Sequence, residues 1–491
     1  MTQPERHARR QSTAPFLSLG PAGRRARALL PALLALAGLG RADVLTVDDD
    51  LVENPTATYT SLQAAIADAQ PQDEVHIWPG TYTGTGTEVA LVDVPGLLLA
   101  GQNASGPVVI DGQGQRRCLR VLGEGVDSYN SLDLPIHIQG LTLVNGEATS
   151  STGGGYKGNG GGAYLEGYVW LQDCTIRDCN SSRSGGGLSI EQPSSWITSP
   201  ARYTAVKAIS CTIESCTSTE DGGGIYNGDS ILEALDVTVT DSYASGNGGG
   251  VAGSHHLNGS TEFRGSATWN RSERNGGGLH VEGLVGSLTV MGELGWNTAR
   301  GGDGGGIFVA DSWLWVRALT AYQNQAERRQ GGAGGRGGAL CVLRSTLDAI
   351  TLTAYRNNSE ADGGGLFLQD CDVKTLRDGT FEQNLSYGRG GAIALQSCSN
   401  ANLEELAFLE NLGRVASAVH AQSTQGVIGS CSFLGNAAYM NGGWSGAAVV
   451  GAASTTDITI AHSTFWQNTA KHLLEVNGAE IVDGGNNQLI P

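Results

Sequence analysis

Short triplets with aliphatic residues first and third recur along this chain, each placed directly after a run of small residues, and the alternation predicts β-strands. Leu188-Ser189-Ile190, Ile307-Phe308-Val309, Leu366-Phe367-Leu368 and Ile393-Ala394-Leu395 each carry aliphatic residues first and third. Those positions are expected to face an interior, and the middle residue (Ser189, Tyr226, His280, Phe308, Cys341, Phe367, His420) is expected to face out. The run before each triplet is Gly-Gly-Gly or Gly-Gly-Ala, at 160–162, 185–187, 222–224, 248–250, 276–278, 304–306, 337–339, 363–365 and 390–392. Weaker copies follow at Ser417-Ala418-Val419 and Ala447-Ala448-Val449. The third small residues are separated by 25, 37, 26, 28, 28, 33, 26, 27, 26 and 30 positions. A period of that size signals stacked structural units that each touch only their neighbours.

A second column keeps the same register. Asn297, Asn324, Asn357, Asn384, Asn411, Asn436 and Asn468 follow one another at intervals of 27, 33, 27, 27, 25 and 32. Four of them close an aromatic-x-x-Asn motif, from Phe381, Phe408, Phe433 and Phe465. In a parallel solenoid, coils stack about 4.8 Å apart and equivalent positions form columns. An inward asparagine column can satisfy itself, each amide donating to the carbonyl of the next coil. Ahead of the repeats, Tyr59 to Gln70 reads as one short amphipathic helix with Leu62, Ala65, Ile66 and Ala69 on a face. The strand Val75–Trp78 and a Pro79-Gly80-Thr81-Tyr82 turn come next. A polar-faced helix over the first coil would cover its open apolar end.

From Ser61-Leu62-Gln63-Ala64-Ala65-Ile66 to Pro79-Gly80-Thr81-Tyr82, the chain resembles the N-terminal cap of right-handed β-helix proteins of the pectin-lyase-like superfamily. The paired glycine and Phe-x-x-Asn motifs resemble the repeats of chlamydial-type polymorphic outer-membrane proteins, and the two resemblances span roughly residues 55–480. They imply an all-β chain: a right-handed parallel β-helix of about a dozen coils, secreted or on a cell surface, acting in adhesion. Proteins of that repeat class usually end in an outer-membrane barrel, for which this chain has no room after its last coil. No transmembrane anchor is therefore expected in the mature chain. The expected organisation is an export signal at 1–42, an N-terminal segment with the capping helix at 43–74, and the β-helix at 75–491.

Composition narrows the function. Arg24, Arg25 and Arg27 precede an apolar run from Ala28 to Leu39, and Gly40-Arg41-Ala42 offers a cleavage site, the pattern of an export signal. Without residues 1–42 the chain loses seven arginines and one acid, leaving 23 basic against 47 acidic residues, a net −24. Nucleic acid and anionic lipid are held by basic patches, so neither is expected as a partner. The nine cysteines fit an oxidising compartment. Column neighbours lie within disulfide reach, which pairs Cys174 with Cys211, Cys179 with Cys216, and Cys371 with Cys398; stacked free thiols are the alternative.

Polygalacturonase-like and pectate-lyase-like catalytic boxes are absent from the β-helix region, so no catalytic residue is nominated and the expected activity is binding of polysaccharide or cell-surface components. A polysaccharide lyase or glycoside hydrolase of this fold is the alternative. Three places could hold a ligand. The insertion from Glu191 to Lys207 carries Trp196, Arg202 and Tyr203, and a similar insertion from Gly123 to Pro135 carries Asp127, Tyr129 and Asp133. Both follow equivalent strands, which puts them on one side. In Trp313-Leu314-Trp315-Val316, inward Leu314 and Val316 would leave both tryptophans on an outer platform. Asn159, Asp221, Asn247, Asn275, Asp303 and Asp362, each just before a glycine run, could offer oxygen ligands to calcium, or could be ordinary turn residues; no other cofactor or metal is expected. His255-His256 reads as a solvated turn.

Overall fold

The computed structural model describes residues 42–490 apart from segments at 128–133, 150–157, 194–201, 255–258, 284–285, 329–331, 333, 439–447, 471 and 478–479. The export signal at 1–42 thus lies almost wholly outside the described residues. The chain is a parallel β-solenoid. Its glycine-motif strands, from Glu88–Val92 to His472–Asn477, form one 14-stranded sheet, so the coils number about fourteen against the expected dozen. A second sheet stacks 11 strands of two residues each, from Glu147–Ala148 to Ala437–Ala438. The third, of 26 strands, takes two segments from most coils; these fuse into single long strands at Ile231–Thr240, Ser260–Thr268, Ser287–Gly295, Trp313–Tyr322 and Thr346–Tyr355. The helix is shorter than the sequence pattern, Leu62–Asp68, with Ser61 as its N-cap and Leu62, Ala65 and Ile66 buried. Val44–Val47 already pairs in parallel with Glu74–Ile77, so the segment before the helix supplies a strand as well.

The asparagine column is interior, and it begins one coil earlier than expected, at Asn270. Along Asn270, Asn297, Asn324, Asn357, Asn384, Asn411, Asn436 and Asn468, each Nδ2 donates to the next Oδ1 at 2.9–3.1 Å. The backbone N–H of the same residue donates to that same Oδ1, as Asn384 does to Asn411 at 3.0 Å. The second amide hydrogen goes back one coil, as from Asn384 to the Ala354 carbonyl at 2.8 Å. Every polar group of the buried amide has a partner, which makes its burial tolerable. Beside it the Phe381, Phe408, Phe433 and Phe465 rings stack at 5.6, 4.8 and 4.5 Å.

Glycine is needed for two separate reasons at the motif. Gly304 has φ +70°, and a Cβ there would lie 2.1 Å from the Ile307 carbonyl oxygen; Gly305 leaves room for the next coil, whose Gly338 oxygen would be 2.4 Å from its Cβ. The residues just before the glycine runs form a second ladder. Oδ1 of Asn159, Asp221, Asn247, Asn275, Asp303 and Asp362 accepts the backbone N–H of Ser184, Asn247, Asn275, Asp303, Arg336 and Arg389, respectively, one coil on. These acceptors already serve the backbone.

One expectation needs correcting. The middle residues of the glycine strands do lie on the outer face, yet most are covered. Phe308, Cys341, Phe367 and Ala394 form a separate buried cluster with Ala310 and Leu343. The physical reason is visible at Arg336, whose guanidinium sits 4.6 Å over the Phe367 ring while bonding Asp303 and Gln369. His280 stacks on Phe308 at 5.1 Å, and burial pulls its pKa down to about 3, so it is a neutral packing residue.

Replacing Asn384 by leucine strands two donors of Asn357 and takes the amide donor from the Ala354 carbonyl, while Asn411 Oδ1 keeps only the backbone N–H of residue 384. At about 1–3 kcal/mol for each unsatisfied buried group, the loss is expected to exceed ~3 kcal/mol. Gln70→Leu, at an exposed position, is expected to cost well under ~1 kcal/mol. Denaturation midpoints of the two variants check the difference.

Candidate functional site

Two outer surfaces carry chemistry that the ladders and the core do not use. The first lies where the two insertions meet. Arg202–Tyr203 pairs antiparallel with Val126–Asp127, the sole antiparallel pairing among the described strands, so both insertions emerge on one side and join. Gln192 ties the base of the longer one, donating from Nε2 to the Arg202 carbonyl and accepting from the Thr204 N–H, both at 2.8 Å. Trp196, Tyr129 and Asp133 lie outside the described residues, as does His255-His256. Arg202 is exposed and Tyr203 half-buried.

Beside this junction, the outer face of the glycine-motif sheet holds two carboxyl groups in one column. Ala163–Leu165 pairs in register with Leu188–Ile190, which sets Glu166 beside Glu191 on consecutive coils. Oε1 of Glu166 accepts from the Tyr164 hydroxyl at 2.7 Å. Oε1 of Glu191 accepts from Ser189 Oγ and Asn159 Nδ2, both at 3.0 Å. Its Oε2 faces Gly228, where a Cβ would come within 2.7 Å; glycine keeps that space open. Burial is the largest influence on Glu191 and raises its pKa to about 7; the Glu166 charge adds to this, while Ser189, Arg183 and Asn159 oppose it. Arg117 sits 5.5 Å from the Tyr164 ring centroid and bonds the Asn159 and Gly160 carbonyls. The sequence marked this region only by its insertions; Glu166 and Glu191 carried no signal of their own, because what sets them apart is the neighbouring coil.

The second surface is aromatic. Leu314 and Val316 are fully buried, and Trp313 and Trp315 lie on the outer face as their alternation implied, 6.1 Å apart and tilted by 57°. Further along the same strand, Tyr322 lies over Gly295, where any Cβ would sit 2.3 Å from its Cζ. At the adjoining corner, the residue preceding each ladder asparagine is left-handed. In two consecutive coils that residue is a tryptophan: Trp269 (φ 61°) and Trp296 (φ 58°). Their rings stack at 4.7 Å with 4° between planes and remain 54% and 40% exposed. A bulky residue in this conformation is strained. Smaller or polar residues such as Asp241 and Gln323 fill the equivalent corners of neighbouring coils, so the fold does not demand tryptophan there. Sequence reasoning nominated Trp313 and Trp315 and missed Trp269 and Trp296.

Other expected sites resolve differently. The calcium column is the backbone-accepting ladder described above. Among the described residues, the carboxylates close enough together for a metal ion are Asp48, Asp50 and Glu53, beside the capping helix, and Asp48 there accepts the N–H groups of Leu51 and Asn54. All nine cysteines are buried thiols. Cys174 and Cys211, Cys179 and Cys216, and Cys371 and Cys398 are column neighbours on consecutive coils, each thiol donating to backbone carbonyls, as Cys174 does to Gln172 at 3.3 Å. Cys179 also meets Cys118, which gives it a second neighbour that the spacing did not reveal. Cys179 and Cys216 occupy the corner that Asn270 takes over farther along, with Ser242 between them.

No family model matches the chain, and no curated protein matches it. The resemblance to polymorphic outer-membrane repeats finds no support there. Among solved structures, it is similar to the catalytic unit of a thermostable GH87 alpha-1,3-glucanase from Streptomyces thermodiastaticus strain HF3-3, at 14% identity and a TM-score of 0.37, over 92% of this chain and 70% of that one. It is also similar to a family 28 exopolygalacturonase from Yersinia enterocolitica (8% identity, TM-score 0.28, 91% and 79% covered). A PL6 family alginate lyase matches at 10% identity and a TM-score of 0.22, over 91% of this chain and all of that one. Likeness this distant assigns no activity.

The Glu191 environment has a pH signature. Its folded pKa lies above the usual carboxyl value, so it favours folding only while protonated. Stability is expected to fall as pH rises from about 4.5 to about 7. Glu191→Gln keeps the hydrogen bonds from Ser189 and Asn159 and removes that fall. The variant should match the parent in acid and exceed it above neutral pH, by on the order of 3 kcal/mol at most. Denaturation at both pH extremes measures this.

Proposed function

We propose that this protein is a secreted or cell-surface solenoid that binds glycans on its outer face, in an adhesive role. The observation that carries the reading is the exposed Trp269–Trp296 stack, with a second aromatic pair, Trp313 and Trp315, on the outer face of the 26-stranded sheet. The outer sides of the stacked rings and the exposed Trp313 ring offer apolar surface to a sugar ring, and an exposed aromatic patch on a chain otherwise rich in glycine marks a contact surface. The export reading rests on the basic and apolar leader before Ala42. No helix among the described residues is long and apolar enough to cross a membrane.

A second reading is favoured by Glu166 and Glu191. A carboxyl poised near neutrality beside another carboxylate is the arrangement of a general acid and a nucleophile. Column neighbours about 4.8 Å apart match the retaining arrangement. Glu191 would give its proton to the departing glycosidic oxygen while Glu166 attacked the anomeric carbon, and water deprotonated by Glu191 would then displace Glu166 and release the sugar. Tyr164 and Asn159 would hold the two groups in place.

A panel of neutral and acidic polysaccharides separates the readings. Binding without turnover, weakened at least tenfold in Trp269→Ala/Trp296→Ala or in Trp313→Ala/Trp315→Ala, supports adhesion and says which platform holds the ligand. New reducing ends that vanish in Glu191→Gln, with the fold intact, replace it by the hydrolytic reading. In exported material, non-reduced peptide mapping is expected to show Cys174–Cys211, Cys179–Cys216 and Cys371–Cys398 crosslinks; nine free thiols would count against export.

A further inference from the structure

Several arginines on the solenoid hold carboxylates. Arg271, Arg300, Arg317, Arg336 and Arg344 each form an ion pair at 2.5–3.5 Å. Arg328, Arg389 and Arg414 form no such pair among the described residues, and they converge with Tyr387 on one open cleft of about 660 Å³. The two acids in its wall are turned to the backbone: Glu360 accepts the Arg328 N–H at 2.8 Å, and Asp362 accepts the Arg389 N–H at 2.7 Å. Arg389 Nη1 donates to Gln422 Oε1 at 2.7 Å, which fixes the guanidinium at the cleft. Tyr387 is 51% exposed.

Three guanidiniums without an ion pair face two carboxylates in one cleft, and both carboxylates are turned to backbone N–H groups, so the lining carries one positive charge in excess on a chain whose net charge is −18. The arrangement is what a bound oxyanion would relieve, because guanidinium forks match carboxylate and sulfate geometry. The half-exposed tyrosine ring beside them offers an apolar face. We infer that this cleft binds an oxyanion carried on a sugar ring, as a carboxylate or sulfate ester. The inference deepens the glycan-binding reading by naming an acidic-sugar subsite, on coils distinct from the tryptophan stack. Overall negative charge disfavours polyanions at long range; a local cluster overrides it within a Debye length of about 8–10 Å.

Dextran sulfate, neutral dextran and inorganic sulfate are the probes, used on the full chain. Dextran sulfate is expected to bind, to weaken with rising ionic strength, and to weaken at least tenfold in Arg389→Gln/Arg414→Gln, with Arg328→Gln giving a smaller loss. These side chains are at the surface, so melting curves should be unchanged. Trp269→Ala/Trp296→Ala should leave the sulfated probe bound, which separates failure of this subsite from failure of the aromatic platform. Equal binding of dextran sulfate by the parent and the arginine variants, or none by the parent, overturns the inference. Inorganic sulfate bound through the same arginines without dextran sulfate would show a free-anion site and overturn the sugar assignment.

Discussion

Everything in this molecule depends on one-to-one stacking of coils. At about 4.8 Å between equivalent residues, a side chain's nearest neighbour is its own counterpart in the next coil. A column survives only if its residue tolerates a copy of itself on both sides. Asparagine does so by being donor and acceptor at once, phenylalanine by stacking, glycine by occupying no space. Some charged columns survive by alternation, as where Arg300 lies between Glu273 and Glu327 and pairs with both. The outer face of the glycine sheet meets the same demand differently, through Arg336 laid over Phe367.

That constraint explains which features were readable in the chain. The glycine runs, the asparagines and the Phe-x-x-Asn motifs repeat because their columns require it, so period and phase gave the fold, the stacking axis and most of the interior. The asparagine before the first expected one, Asn270, escaped because its corner is served by Cys179, Cys216 and Ser242 in the preceding coils. Asp303 and its equivalents were visible as a column; that their oxygens accept backbone N–H groups one coil on was not, since the acceptor and donor are 25–33 residues apart.

The candidate sites were harder to read for the opposite reason. A functional side chain is the one that breaks its column. The left-handed corner holds Asp241, Trp269, Trp296, Gln323 and Arg356 in turn, with no period to announce the tryptophans. Glu191 becomes unusual only because Glu166, Asn159 and Gly228 surround it from the flanking coils. The alternation of Trp313-Leu314-Trp315-Val316 and the two insertions stood out, and the insertions marked the neighbourhood of the carboxyl pair without naming either member.

The ladder of eight asparagines also acts as a ruler. Its bonds are the same at every step, so nothing in it sets a preferred number of steps, and its seven intervals span roughly 34 Å at the usual strand spacing. Excising one whole coil would bring two equivalent amides into contact and leave the sequence of donors and acceptors unbroken. Excising part of a coil would present an amide to the wrong partner. Length in such a molecule is therefore a variable that can be altered in quanta, and the reach of any extended polymer laid along its outer face changes by the same quanta.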